Sequence, residues 1–591
     1  MTGINDKGFK PSKYQEEIFE FVRHGVGNGI IKAAAGSGKT FTLIHSMRLL
    51  PETQSCLFIA FNKSIVEELT HKLSDYPNCT AKTIHSLGLL MLKRNLGHDI
   101  EVDEYKYRKY VKSHIEELIT DASFKGYANG GKDRYIETVI KLVNYSRFNI
   151  AQNITEVKRV AKQYSIPLIS DEASATVKCL RWGARNTETV DYTDMVWIPY
   201  ELGLTPKGLQ FDWIMFDECQ DASLMSIELF KKCFKRGTRF LAVGDSDQTI
   251  NLFAGSSLNS FDIFHSMPNT IMFSLPITYR CAKRIVRYAN TVVKDIIACD
   301  DAPEGVVMDN VHVSDICDGG MVLSRTTAKL VEVYTKLLRR NVKCYIKGKD
   351  IGENLITFLN SVRQTELNRN LCADGVFARL YEAMFCERNR TMLSSGIESD
   401  DAIMSENVMQ MLDSIQALYI LSEGCTQKQE IIDKIKAIFL DESEGICLST
   451  IHKAKGLECD SVYILCHNAM LGIRKEHDWE KIQERNLRYV AYTRAKTFLG
   501  FVSEDEIKPI GRAKCREGIL KDVKEIETKV KNLIEGNLIE FEEFKKSLTQ
   551  ITITEPIRNV CDGIFNSPNT FNEKIENDYL RNFLEKKRKN I

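Results

Sequence analysis

The chain has 591 residues, 43% hydrophobic, 27% charged and 9% aromatic, with 80 Lys+Arg set against 80 Asp+Glu for a formal net charge of zero. That length exceeds what one core can organise, and the charge balance excludes an overall basic surface, so any nucleic-acid surface must be local. Its 17 cysteines show no C-x-x-C spacing, no signal peptide opens the chain, and no apolar stretch is long enough to cross a bilayer; the expectation is a reduced intracellular protein, cytoplasmic or nuclear, with no membrane partner. In chain order, "GIIKAAAG" (29–36), "SCLFIAFN" (55–62) and "CTAKTIHS" (79–86) predict buried parallel strands among helical patterns. Amphipathic segments rich in Lys, Tyr and Glu follow from about 90 to 190, and strand signals return at "FDWIMFDE" (211–218) and "TRFLAVGD" (238–245). A second α/β unit begins near 275, with strands at "GGMVLSRT" (319–326) and "NVKCYIKG" (341–348), a helical stretch from about 356 to 440, and strands again at 445–452, 460–466 and 497–503. The simplest account is an α/β protein with a first core over 1–89 and 190–275 interrupted by a helical insertion over 90–189. A second core over 276–355 and 441–505 is interrupted by another over 356–440, and a charged helical extension occupies 506–591.

The stretch "AAAGSGKT" (33–40) joins a strand to a helix through two glycines. Such a turn aims backbone N–H groups at one point, and the helix dipole adds positive potential there, which suits phosphate. Lys39 can reach the outer phosphates and Thr40 offers a hydroxyl to Mg²⁺. The usual pattern wants glycine where Ala33 stands, but the tight positions are Gly36 and Gly38. Further on, "IMFDECQDAS" (214–223) ends a strand in Asp217-Glu218, a pair suited to organising a metal and activating a water.

These segments, together with "FNKSI", "TIHSLG", "VGDSDQTINLFAG", "TYR", "LSTIHKAKGLE" and "RYVAYTRAK" in this order, resemble the motifs of superfamily 1 DNA helicases of the UvrD/Rep/PcrA-like group, over roughly residues 9–503. "FNKS" and "KTIHS" look like the F-box DNA helicase branch, although no F-box is apparent. The resemblance implies two RecA-like parallel-sheet domains forming an ATP cleft, each with a helical insertion, and ATP with Mg²⁺ as cofactors. Ala33, Ala34, Ala35, Gly36, Ser37, Gly38, Lys39 and Thr40 would cradle the phosphates, Thr40 and Asp217 would hold Mg²⁺, and Glu218 would be the general base. By the same resemblance Gln248 would sense the γ-phosphate, Arg280 and Arg494 would act as arginine fingers, Glu458 would touch the ribose, Gln15 would read adenine, and Tyr279 would stack on it. Phe61, Asn62, Thr83, His85, Phe253, Thr450 and His452 fall in motifs that face DNA, Phe253 being the expected stacking residue.

Three departures stand out. Ala34 replaces a usual glycine, Phe41 follows Lys39-Thr40 where relatives often carry an adenine-packing arginine, and Asn251 and Ala254 replace a common aromatic and arginine. The implied activity is an ATP-dependent motor on single-stranded DNA and at single-strand/duplex junctions, moving 3′ to 5′ and unwinding duplex in replication, repair or recombination. The alternatives are a translocase that strips bound proteins with little unwinding, and a slow ATPase switch or scaffold; the extension after 505 could bind protein partners.

Overall fold

The computed structural model describes residues 10–60, 62–119, 130–164, 166, 168, 170–250, 259–361, 376–395, 398–403, 405–467, 478–503, 505–507, 520, 523, 524 and 526–528. Six strands form the first sheet: β1 (Asn28–Ala33), β2 (Cys56–Ala60), β3 (Cys79–Thr83), β4 (Phe211–Phe216), β5 (Phe234–Gly244) and β6 (Thr270–Leu275). They lie in the order β3-β2-β4-β5-β1-β6, and every pairing is parallel. Seven more form a second parallel sheet: β7 (Val306–Val311), β8 (Met321–Ser324), β9 (Cys344–Lys347), β10 (Phe439–Leu440), β11 (Ile446–Thr450), β12 (Cys459–Ile464) and β13 (Ala495–Val502). Their order is β7-β13-β12-β8-β11-β9-β10.

Central strands such as β2 (CLFIA) and β8 (MVLS) are buried along their whole length, as parallel strands covered on both faces must be. Burying each large aliphatic or aromatic side chain contributes about 1.5–3 kcal/mol before entropy is counted. Ten of the thirteen strands lie where the apolar runs predict them. β6 and β7 escape prediction because Ile271, Met272 and Met308 are exposed and neither strand carries a continuous buried run. β10 is a two-residue strand, too short to leave a periodic signal.

Both helical stretches merge with the sheets they interrupt. Met91, Tyr107, Tyr135 and Val139 share one core with Ile30 and Leu57 of the first sheet. Leu412, Ile415 and Leu418, on the helix Glu406–Leu421, lie in one core with Leu330, Ile346 and Leu448. Asp413 of that helix accepts hydrogen bonds from the backbone N–H groups of Thr327 (2.8 Å) and Ala328 (3.0 Å), so it caps the helix Thr327–Leu338 that follows β8. No helix among the described residues is long and apolar enough to cross a membrane.

Candidate nucleotide site

Parallel sheets present their ligands beyond the carboxyl ends of the strands, and the charged motifs lie there. β1 ends at Ala33, and the loop that follows turns through Gly36 (φ 71°) and Gly38 (φ 80°) into the helix Lys39–Arg48. A side chain at Gly36 would be strained by that φ and would meet the Cβ of Arg280 at 2.5 Å. Ala33 is a buried strand residue with no positive φ, which explains why glycine is not required there. Ser37 is 2% exposed, and its hydroxyl has no hydrogen-bond partner among the described residues, an orphan donor that a phosphate oxygen would satisfy.

β4 ends beside this loop and delivers Asp217 and Glu218. The Thr40 hydroxyl donates to Asp217 Oδ2 at 2.6 Å, and Lys39 Nζ sits 3.0 Å from Glu218 Oε1. Glu218 adopts the left-handed region (φ 52°), a strained setting for a side chain with a Cβ, and Gln220 Nε2 donates to its carboxylate. β5 ends at Gly244, so Asp245 joins the group, its N–H bonded to Gln220 Oε1 (3.0 Å) and its carboxylate to Gln248 Nε2 (2.6 Å). Burial pushes Asp245 up to about 6, and burial together with the Glu218 charge raises Asp217. Burial would raise Glu218 too, but Lys39 and Lys455 hold it well below the usual carboxylate range. Burial alone would lower Lys39, yet the carboxylates of Glu218, Asp245 and Asp217 keep it above its ordinary value. Thr40 and Asp217 thus form a hard-oxygen pair in an excess of buried negative charge, a donor set that fits Mg²⁺.

The second sheet and its helices supply the opposing wall. Arg494 is 1% exposed and donates to Val490 O (2.9 Å), Leu457 O (3.0 Å) and Gln248 Oε1 (3.4 Å). Gln248 therefore bridges Asp245 and Arg494, linking the two sheets. Arg280 binds Glu458 Oε2 through Nε (2.7 Å) and Thr493 O through Nη1 (3.3 Å). Burial and then the charge of Arg280 push Arg494 down to about 10. Tyr489, on the helix Asp478–Tyr492, accepts the Ala35 N–H at 3.0 Å, and Asn486 Nδ2 donates to Ser246 O (3.1 Å) and Thr249 O (3.0 Å).

The remaining expected residues are distributed as follows. Gln15 is 2% exposed and sits on the helix Lys13–His24. Tyr279 exposes 53% of its surface, and its N–H donates to Gly36 O at 2.9 Å. The Phe41 ring faces His45 at 4.3 Å between centroids. Asn62, Thr83 and Thr450 stand at or just past the ends of β2, β3 and β11, and each accepts a backbone N–H that starts the next helix or turn. His85 is exposed and His452 half-buried. Phe61 and Phe253, with Asn251 and Ala254, lie outside the described residues, as does most of 506–591.

Sequence reasoning passed over Lys455 and Asp221. Lys455, in "HKAKGLE", pairs with the buried Asp221 of "DECQDAS" and donates to Gln248 O at 2.8 Å. Both stood inside quoted motifs, but a lysine in a turn and an aspartate after a strand carry no local sign that they meet across 234 residues.

A strand–glycine-loop–helix bearing Lys-Thr, set against an Asp-Glu pair at the end of the next strand but one in the sheet, defines the phosphate-loop class of α/β proteins. Residues 14–268 match the UvrD/REP helicase N-terminal domain and residues 326–505 the UvrD-like helicase C-terminal domain. The chain belongs to the UvrD/Rep-like superfamily 1 helicases. It is similar to the ATP-dependent DNA helicase PcrA of Staphylococcus aureus (strain Mu50), 22% identical with 82% of each chain covered. PcrA of Bacillus subtilis (strain 168) is 25% identical over 47% of this chain and 39% of its own length. Rep of Buchnera aphidicola subsp. Baizongia pistaciae is 22% identical over 48% and 43%. The chain thus spans about two fifths of the length of those last two relatives.

Proposed function

We propose that the protein is an ATP-driven motor that moves 3′ to 5′ along single-stranded DNA and unwinds duplex at the junction it meets. One observation carries the reading: the two halves of the chain meet at the phosphate loop, where Lys39 pairs with Glu218, Arg280 packs its Cβ against Gly36, and Arg494 binds Gln248, which also holds Asp245. Relatives that carry the name ATP-dependent DNA helicase support the choice of nucleotide and polymer.

In this reading the loop from Ala33 to Thr40 holds the triphosphate through backbone N–H groups, and Lys39 leaves Glu218 for the outer phosphates. Glu218, freed of its ion pair, orients and deprotonates the attacking water. Thr40 and Asp217 would hold Mg²⁺, which neutralises charge on the phosphate oxygens when bound. Arg280 and Arg494 stabilise the charge that develops on the transferring phosphoryl group, and Gln248, bonded to Arg494 and Asp245, reports its presence to the loop that follows. Glu458, which holds Arg280, faces the ribose, and Tyr279 stacks on the base. Asn62, Thr83, His85, Thr450 and His452 face the DNA, and Phe61 and Phe253 are assigned to it by their motifs alone; base stacking is worth about 1–3 kcal/mol per base.

The test is ATP hydrolysis with and without single-stranded DNA, followed by unwinding of duplexes tailed on one end. The expected outcome is DNA-stimulated hydrolysis and unwinding from a 3′ tail only. Hydrolysis indifferent to DNA would reject the motor in favour of a switch or scaffold, hydrolysis without strand separation would favour a protein-stripping translocase, and unwinding from a 5′ tail alone would reverse the polarity.

A further inference from the structure

Two cysteines of the first sheet stand side by side. β2 opens on Cys56 and β3 on Cys79, and the strands pair in parallel with these two residues directly in register. Register partners of a parallel pair point to the same face, and adjacent strands lie about 4.8 Å apart, inside the roughly 4.4–6.8 Å between Cα atoms that a disulfide spans. Both side chains pack on one core with Trp213 and Met215, and the two thiols are hydrogen-bonded to each other. Cys56 is fully buried and Cys79 half-buried, so one sulfur is enclosed while its neighbour is open to small molecules in solution.

The pair is also asymmetric in acidity. The Cys56 S–H donates to the Cys79 sulfur and holds the Cys79 thiol below its ordinary value, against the opposing effect of burial. Burial, and then the same bond, push Cys56 well up. Burial acts unopposed at other cysteines, raising Cys233 to about 12 and the half-buried Cys344 to about 11. A stabilised, partly exposed thiolate beside a protonated thiol is the pairing of a nucleophilic cysteine with its resolving partner, whereas enclosed cysteines stay inert.

We infer that Cys56 and Cys79 form a reversible oxidation site, with Cys79 as the nucleophile toward hydroperoxides and Cys56 as the thiol that closes the disulfide. The Cys79 thiolate attacks one oxygen of the hydroperoxide; an S–O bond forms, the O–O bond breaks, and the departing oxygen takes up a proton and leaves as alcohol or water. The Cys56 thiol then attacks the sulfenic sulfur; the S–S bond forms, the S–O bond breaks, and hydroxide leaves as water with the proton from Cys56. Two thiols have given up two electrons and two protons to one hydroperoxide. The link ties β3, the outermost strand of the first sheet, to β2 at the end of the strands opposite Asn62 and Thr83.

The experiment treats the reduced full chain with limiting iodoacetamide or with hydrogen peroxide and reads each cysteine by peptide mass spectrometry. Set against Cys344, the larger thiolate fraction of Cys79 outweighs its lower intrinsic nucleophilicity, and Cys79 should be alkylated about tenfold faster at neutral pH. Peroxide should join the Cys56 and Cys79 peptides in a product that dithiothreitol reverses. Cys56→Ser keeps a donor beside Cys79 but removes the resolving sulfur, so alkylation should stay fast while oxidation stops at a sulfenic acid that dimedone traps. Cys56→Ala removes the donor as well and should slow Cys79 toward the rate of Cys344. Alkylation of Cys79 no faster than Cys344, or peroxide oxidation of other cysteines with no Cys56–Cys79 link, would overturn the inference. Should the Cys56 variants not fold, those two readouts in the unmodified protein decide.

Discussion

Two groups of charged side chains are withdrawn from water in this protein, and they are built differently. In the helical region after β3, Lys106 and Arg147 meet Asp191 and Asp194: Lys106 Nζ lies 2.6 Å from Asp194, and Arg147 lies 2.7 Å from Asp191 and 2.6 Å from Asp194. Two cations face two carboxylates. Tyr107 Oη (2.7 Å) and the Asp194 N–H (2.7 Å) supply further donors, and Gly183 leaves room for the Tyr107 ring, whose oxygen would lie 2.0 Å from an added Cβ. At the strand ends of the first sheet lie the buried carboxylates of Asp217, Asp221 and Asp245 and the half-buried one of Glu218, with Lys39 and Lys455 bonded among them. Negative charge is in excess there, and burial raises three of those four carboxylates. The first cluster balances its charge within the protein, whereas the second carries a carboxylate excess over its lysines that the proposed Mg²⁺ would offset.

The largest effect should come from breaking the balanced cluster. Arg147→Ala leaves Asp191 and Asp194 short of a partner in the interior and should lower stability by about 3–5 kcal/mol, read by urea unfolding. ATP turnover per folded molecule should persist. A variant as stable as the parent would show that the network is not structural.

At the unbalanced cluster the loss should fall on chemistry instead. Arg494→Ala is expected to reduce turnover on the order of a thousandfold if it acts as an arginine finger, with much less change in nucleotide affinity. Steady-state hydrolysis at saturating nucleotide checks this, and parental turnover would mean that the wall opposite the loop is assembled differently.

Neutralising a carboxylate should have opposite consequences in the two places. Asp245 titrates at about 6 in the folded chain, above its ordinary 3.8, so ionising it costs stability. The penalty is absent below about pH 4 and complete above about pH 6. Asp245→Asn should therefore stabilise the nucleotide-free protein by about 1–3 kcal/mol at neutral pH, with the advantage shrinking as pH falls through that window. Asp194→Asn, in the balanced cluster, should destabilise. Two changes of the same sign would remove the distinction.

The smallest effect sharpens the comparison at the surface. His312 pairs with Glu506 at 2.7 Å, and that hydrogen bond and charge hold its pKa above 6.5. A raised pKa contributes stability below the ordinary value and loses it as pH rises through the folded one. His312→Gln should lower the melting temperature slightly at about pH 5.5 and not at about pH 8.5. A large shift at either pH would mean that this exposed pair matters more than exposure allows.

The interior of both sheets was legible residue by residue because a parallel strand buried on both faces writes a continuous apolar run: "CLFIA" and "MVLS" can be little else. β6 and β7 were not, since both are partly solvated and their residues obey no strict period. The phosphate loop and the Asp-Glu pair were also readable, being local: each needs its residues at fixed spacing along one turn. Sequence by itself determined the class of fold, the loop and the chemistry of its side chains. Tertiary structure alone decided which of those side chains meet. It set Lys39 on Glu218, joined Lys455 to Asp221, routed Gln248 between Asp245 and Arg494, and turned the Gln15 amide toward Ser12 and Thr42. Apart from the Ser12 cap and the Asp245–Gln248 bond, each between residues three apart, those pairings join residues distant in the chain. Their strength comes from burial and mutual orientation, and neither is encoded in any window short enough to read as a motif.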